Sequence, residues 1–193
     1  MNAVIPMQIP PTLHGTEAQL IELVKANPDL RWELTAQGEV IVMSPTGSET
    51  GNDESELNAS IVLWNRQQKL GKTFSSSTGL CLPNGAIRSP DGAWISHERW
   101  AQLSPAQRWQ FASICPDFGV EPVSPVAELE TVPAQMQEYL DNGSRWGWLS
   151  HPQTRTVAID CPNWPPETVT FATIPSGEDV LPGLTLDLQT IFV

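Results

Sequence analysis

Two acidic residues stand at the ends of short apolar runs. Asp91 lies within Arg88-Ser89-Pro90-Asp91-Gly92-Ala93-Trp94-Ile95, and Glu121 ends Pro116-Asp117-Phe118-Gly119-Val120-Glu121. Each run reads as a short buried strand. Asp91 opens an alternation in which Ala93 and Ile95 share its face, and Glu121 closes a run begun by Asp117, where Pro122 is expected to stop the pairing. Carboxylates at the ends of neighbouring central strands can together hold a hard divalent cation. Magnesium takes oxygen ligands, usually one or two carboxylates completed by water and substrate phosphate. Such an ion polarises a phosphoryl oxygen and generates a nucleophile from water.

Other chemistries lack their residues. His14, His97 and His151 are isolated and fit no zinc spacing. Cys81, Cys115 and Cys161 are odd in number and widely separated, so they form neither a disulfide framework nor a C-x-x-C pair. No G-x-S-x-G elbow, P-loop or G-x-G-x-x-G is present. Trp94, Trp100, Trp146 and Trp148 have the chemistry to stack bases, but their strand and helix positions assign them to the core. Trp100, Leu103, Trp109 and Phe111 are read as packing residues.

The elements that must position Asp91 and Glu121 follow from periodicity and capping. Residues 1–15, with Pro6, Pro10 and Pro11, form an irregular lead-in. Thr16 caps a helix to Ala26 with Leu20, Ile21 and Val24 as its apolar stripe. Arg31 to Leu34 and Glu39 to Met43 form a hairpin around Ala36-Gln37-Gly38, in which Glu33 is a satisfied or exposed strand carboxylate. A long helix runs from Gly51 to Leu70 on Leu57, Ile61 and Trp64, with Gly71 ending it. Glu56 shares a face with Ala59, Ser60 and Leu63 and is expected to point inward more than Glu54; it reads equally as an acid favoured by the helix dipole. Strands at Thr73 to Ser77 and Gly79 to Leu82 lead into a Pro83-Asn84-Gly85 turn. Two helical turns follow, at His97 to Ala101 and after Ser104, with Pro105 first in the second turn. After Glu121, a helix from Thr131–Pro133 to Leu140 turns Val132, Met136 and Leu140 inward and is capped by Gly143. Trp146 to Leu149 and Thr156 to Asp160 make a hairpin through His151-Pro152-Gln153. A further strand spans Thr168 to Ala172, and a segment around Pro182-Gly183 closes the chain. Alternating helices and strands predict one α/β domain over 1–193 with a mixed central sheet flanked by helices.

At 193 residues the chain has room for one full core. A hydrophobic share of 40% with eight tryptophans is that of a globular protein. No apolar run approaches the roughly 18 residues of a membrane span. Met1 to Pro11 lacks a signal peptide's basic start and cleavage site, so a cytoplasmic protein is expected. Ten basic residues against 22 acidic give a net charge of −12. Such a chain repels a polyanion unless a bound cation offsets the charge locally. Arg66, Lys69 and Lys72 lie close in sequence but read as a solvated helix end.

The order of the motifs resembles a known superfamily. Ser89-Pro90-Asp91, followed by Pro116-Asp117-Phe118 and Glu121 and then by Ser124-Pro125, resembles the PD-(D/E)XK restriction-endonuclease-like superfamily. More narrowly the chain is similar to the bacterial Uma-two family. The similarity runs through Arg31 to Leu34, Met43 to Gly47, Ser76 to Gly79, Leu82 to Gly85, Arg88 to Asp91, Cys115 to Glu121, Met136 to Gly143 and Val180 to Gly183. It implies a metal-dependent DNA endonuclease with Asp91 and Glu121 as magnesium (or manganese) ligands. It also implies Glu56 as a third ligand, from the first core helix. In the resembled nucleases a lysine supports the water or the developing charge, usually two residues after the glutamate. Here that position is Val123, and the alternative helix position is Gln135. The three lysines, Lys25, Lys69 and Lys72, all precede both positions. Gln135 can orient a water but carries no charge and cannot act as a base at neutral pH. Arg88 or Arg145 would supply charge but not a base. A weakly active endonuclease is therefore weighed against a non-catalytic, partner-binding protein on the same fold, and either is expected to form a homodimer.

Overall fold

The computed structural model describes residues 15–43, 45–123 and 131–192. The expected lead-in, apart from Gly15, and Ser124-Pro125 lie outside the described residues, as does His14. Helix α1 (Glu17–Ala26) starts at a capping box between Thr16 and Gln19 and buries Leu20. It packs on strand β1 (Arg31–Leu34), which pairs antiparallel with β2 (Val40–Met43) across a turn where Gly38 has φ 87°. The long helix α2 (Ser48–Gln68) follows and buries Leu57, Ile61 and Trp64. Its end differs from expectation. Lys69, at φ 56°, provides the left-handed cap, while Gly71 is the first residue of β3 (Gly71–Ser75). Gly71 is required by packing, because a Cβ there would run into the Ile95 carbonyl and the Trp94 ring.

Strand β4 (Leu80–Cys81) and β5 (Ile87–Arg88) flank the Pro83-Asn84-Gly85 turn, where Gly85 sits at φ 91°. The chain then leaves this sheet. Ser89-Pro90-Asp91 carries it from β5 into β6 (Gly92–Ser96), which belongs to a different sheet. Helices α3 (His97–Ala101) and α4 (Pro105–Arg108) form with Ser96 and Ser104 as caps. Leu103 is buried and Trp100 packs against Phe74, but Trp109 is 90% exposed and is not a packing residue. It directly follows the last residue of α4, a helix of only four residues that buries none of its side chains.

Strand β7 (Ala112–Ser113) precedes β8 (Phe118–Pro122). Pro122 does not end β8. It remains in register with Ser150 in the parallel pairing to β9 (Trp146–His151), and the Val123 N–H donates to the Ser150 carbonyl. Proline lacks a donor towards only one neighbour, and on the β6 side the pairing has already stopped at Val120. Helix α5 (Thr131–Asp141) precedes β9, β10 (Thr156–Asp160) and β11 (Glu167–Thr170); α6 (Leu188–Ile191) closes the described chain.

The described strands form two mixed sheets rather than one. The first has the order β2-β1-β5-β4-β7, the second β11-β10-β9-β8-β6-β3. Helix α2 packs on β3, β6 and β8, and α5 packs on β8 and β9. The largest core cluster joins Leu57, Ile61 and Trp64 of α2 to Trp94, Phe118, Val120 and Trp148. A separate cluster holds Met136 and Tyr139 of α5 with Leu82, Ala86 and Cys115. Phe118 and Val120 thus face α2. Gly119 faces Tyr139, and Glu121 shares that second face by strand alternation. No helix among the described residues is long and apolar enough to cross a membrane.

Candidate functional site

Register brings the two predicted acids together. Strands β6 and β8 are antiparallel neighbours with Gly92 opposite Val120, which sets Asp91 opposite Glu121. The Asp91 N–H donates to Glu121 Oε2 at 3.4 Å. Asp91 is half-buried at the entrance of β6, and its carbonyl accepts from Asn58 Nδ2 of α2 at 2.7 Å. Glu121 is buried on the α5 side. Its Oε1 accepts from the Tyr139 hydroxyl at 3.0 Å and lies 3.5 Å from Gln135 Nε2, while Gln135 also donates to the Tyr139 oxygen at 2.9 Å.

The electrostatics are those of an uncompensated acid cluster. Burial, then the Glu54 charge, pushes the Asp91 carboxyl up to about 7, although Arg31 and the contact with Glu121 act the other way. Burial, then Asp91 and Glu33, raises Glu121 well above the carboxylate range. Burial, then the charges of Glu121 and Glu33, hold Tyr139 protonated, so its hydroxyl remains a donor. At least one carboxyl of the pair therefore needs a proton or a cation beside it near neutral pH.

Glu54, not Glu56, is the helix glutamate that reaches the pair. Glu54 is half-buried and acts directly on Asp91, whereas Glu56 is exposed on the side of α2 that also exposes 57% of Leu63. The inward face is set by Leu57, Ile61 and Trp64. Glu54 precedes Leu57 by three residues and Asn58 by four, which places it on that face.

The other candidates are occupied. Glu33 is a buried structural carboxylate: Oε1 accepts from the Ser89 N–H at 2.7 Å and Oε2 pairs with Arg88 at 3.1 Å. Arg88 also binds Glu138 at 2.7 Å. Arg145 and Arg99 converge on the fully buried Asp117, which accepts from the Ser96 N–H as well. Val123, at one usual lysine position, is buried. Gln135, at the other, touches Glu121 but brings no charge. The cation whose field reaches Asp91 and Glu54 is Arg31. Tyr139 and Arg31 received no role from the sequence. Tyr139 had a visible signal, lying three residues after the inward Met136; Arg31 had none.

The donor set is all oxygen and suits a hard cation. Among the described residues, no three of His, Cys, Asp and Glu converge tightly enough to hold a metal. Asp91 and Glu121 bring two carboxylates together, as many as magnesium usually takes from a protein.

The fold is shared with a solved protein. The structure matches the crystal structure of "a putative nuclease belonging to DUF820" from Anabaena variabilis, at 20% identity and a TM-score of 0.71. The match covers 84% of this chain and 91% of that one. No curated protein matches the sequence. The family model of Uma2, described as "Putative restriction endonuclease", matches residues 17–189. The chain belongs to the Uma2 family of restriction-endonuclease-like proteins.

Proposed function

We propose that the chain is a slow, metal-dependent endodeoxyribonuclease that hydrolyses phosphodiesters at Asp91 and Glu121. The observation that carries this reading is the register of β6 and β8, which opposes two carboxyls whose mutual repulsion only a proton or a cation relieves. Asp91 and Glu121 would hold magnesium or manganese. When bound, the ion supplies Lewis-acid polarisation of the phosphoryl oxygen and an activated water.

The chain's own residues do the rest. The Tyr139 hydroxyl and the Asp91 N–H fix the two oxygens of Glu121, leaving one carboxylate orientation. Gln135 steadies Tyr139 and Glu121 and acts as a positioning residue. Glu54 adds negative charge on the α2 side of Asp91. Among the described residues, no neutral-range base besides the two proposed ligands accompanies the water, and no lysine stabilises the departing oxygen. Losing one such stabilising donor costs on the order of 10²–10³ in turnover, hence a slow enzyme.

Supercoiled plasmid with added magnesium or manganese is expected to be nicked by the native chain and left intact by Asp91→Ala. Absence of nicking in both would remove the catalytic reading. A non-catalytic binding protein is the second reading, favoured by one feature: both oxygens of Glu121 already accept from protein donors. On either reading a two-fold homodimer is proposed, and in the nuclease it would supply one site per strand.

A further inference from the structure

Arg31 differs from the other arginines around the site. Arg88, Arg99 and Arg145 each pair with a carboxylate. Among the described residues, Arg31 makes no such pair; its guanidinium donates to the Ser76 carbonyl at 3.3 Å. It lines a cavity of about 170 Å³ with Trp32, Ser76, Ser77 and Ser89. Trp32, 4% exposed, forms part of the cavity wall. A guanidinium is a donor only. Beyond the Ser76 carbonyl, that of Arg31 has no acceptor among the described residues.

The cavity adjoins Asp91. Ser75, the last residue of β3, pairs with Gly92, so the turn that Ser76 begins starts beside the Asp91 end of β6, and Ser89 lies two residues before Asp91. An oxygen-rich anion in this cavity would meet the guanidinium and serine hydroxyls. Arginine's fork matches phosphate geometry. Asp29, exposed at the rim, opposes an anion.

We propose that Arg31, Trp32, Ser76, Ser77 and Ser89 form a subsite for a backbone phosphate, next to the phosphate that reacts at Asp91. The subsite rests on the nuclease reading for its purpose but not for its test. It gives a strongly acidic chain one local hold on a polyanion and sets the strand's direction past the carboxylates.

The test is an amide NMR titration of the full chain with dimethyl phosphate, and separately with inorganic phosphate. Shifts at Ser76, Ser77, Gly79 and Ser89 are expected, stronger for the diester if the subsite serves nucleic acid and stronger for inorganic phosphate if it serves the free ion. They should vanish in Arg31→Gln, weaken several-fold in Arg31→Lys and strengthen several-fold in Asp29→Asn. No shifts at these amides in the native chain would overturn the proposal, as would shifts that persist in Arg31→Gln. If Arg31→Gln does not fold, unchanged affinity in both Arg31→Lys and Asp29→Asn overturns it equally. Plasmid nicking separates the two readings: phosphate binding without nicking removes the nuclease alone, and nicking without phosphate binding removes the subsite alone.

Discussion

At Glu121 a single side chain joins stability to chemistry. It is buried and accepts from a tyrosine hydroxyl and a backbone amide, so removing a donor leaves a desolvated oxygen less satisfied. Tyr139→Phe is therefore expected to cost about 1–3 kcal/mol, read as a lower urea midpoint at unchanged m-value. Glu54 and Glu56 offer a sharper contrast. Glu54→Gln removes the charge beside Asp91 and should lower metal affinity about tenfold, the low end for groups beyond the ligands themselves. Glu56→Gln, exposed on the far side of α2, should leave it unchanged. Manganese titration of the two variants decides between them, and equal effects would sink the assignment of Glu54. The choice was legible in the sequence, because three residues before Leu57 is the inward face. Leu63, apolar in type but 57% exposed, gave the opposite cue.

At the scale of elements, the site depends on how the strands are joined. Apolar alternation and turn residues marked most strands and helices to within a few residues, because each cue is local. The division into two sheets was not legible. It depends on which strands Ile87–Arg88 and Gly92–Ser96 pair with, and those partners lie far away in sequence. For the same reason Glu33 was readable as a satisfied strand acid, while its partners Arg88 and Ser89 were not. That pair anchors β1 against the β5–β6 crossing. Glu33→Ala would leave the Arg88 guanidinium with Glu138 alone and the Ser89 N–H with nothing, and should cost about 1–3 kcal/mol, read as a lower urea midpoint. Gly71 lies opposite Ser96, at the end of β6 away from Asp91. In Gly71→Ala the new Cβ meets a backbone carbonyl of β6 that cannot rotate away. A loss of about 3 kcal/mol is expected, with faster hydrogen exchange in β3; an exchange pattern like the native one would contradict it.

For the whole molecule, the balance of charge determines how the fold responds to pH and metal. The chain carries −12, and its site gathers part of that negative charge around the half-buried Asp91 and the buried Glu121. An unfolded aspartate ionises near pH 4, while Asp91 in the fold holds its proton up to about 7. Between those limits the native state binds more protons than the unfolded state, so stability falls as pH rises. The contribution is fully present below about pH 4 and is lost as pH passes about 7; Glu121, raised further, extends the same slope upward. Titrating self-repulsion of the remaining acids adds to the fall but does not depend on Asp91. Asp91→Asn removes one of the two coupled acids, and its melting temperature should therefore decline less steeply than the native chain's over this interval. On the proposed reading, manganese or magnesium binds the ionised pair and should raise the native melting temperature increasingly as pH rises from 5 to 8, with no such rise in the variant. This outcome requires no catalysis, so it tests the metal centre even if hydrolysis is undetectable. A native chain whose melting temperature ignored metal at pH 8 would mean that Tyr139 and the Asp91 amide have already satisfied Glu121, and that the two opposed carboxyls share a proton instead.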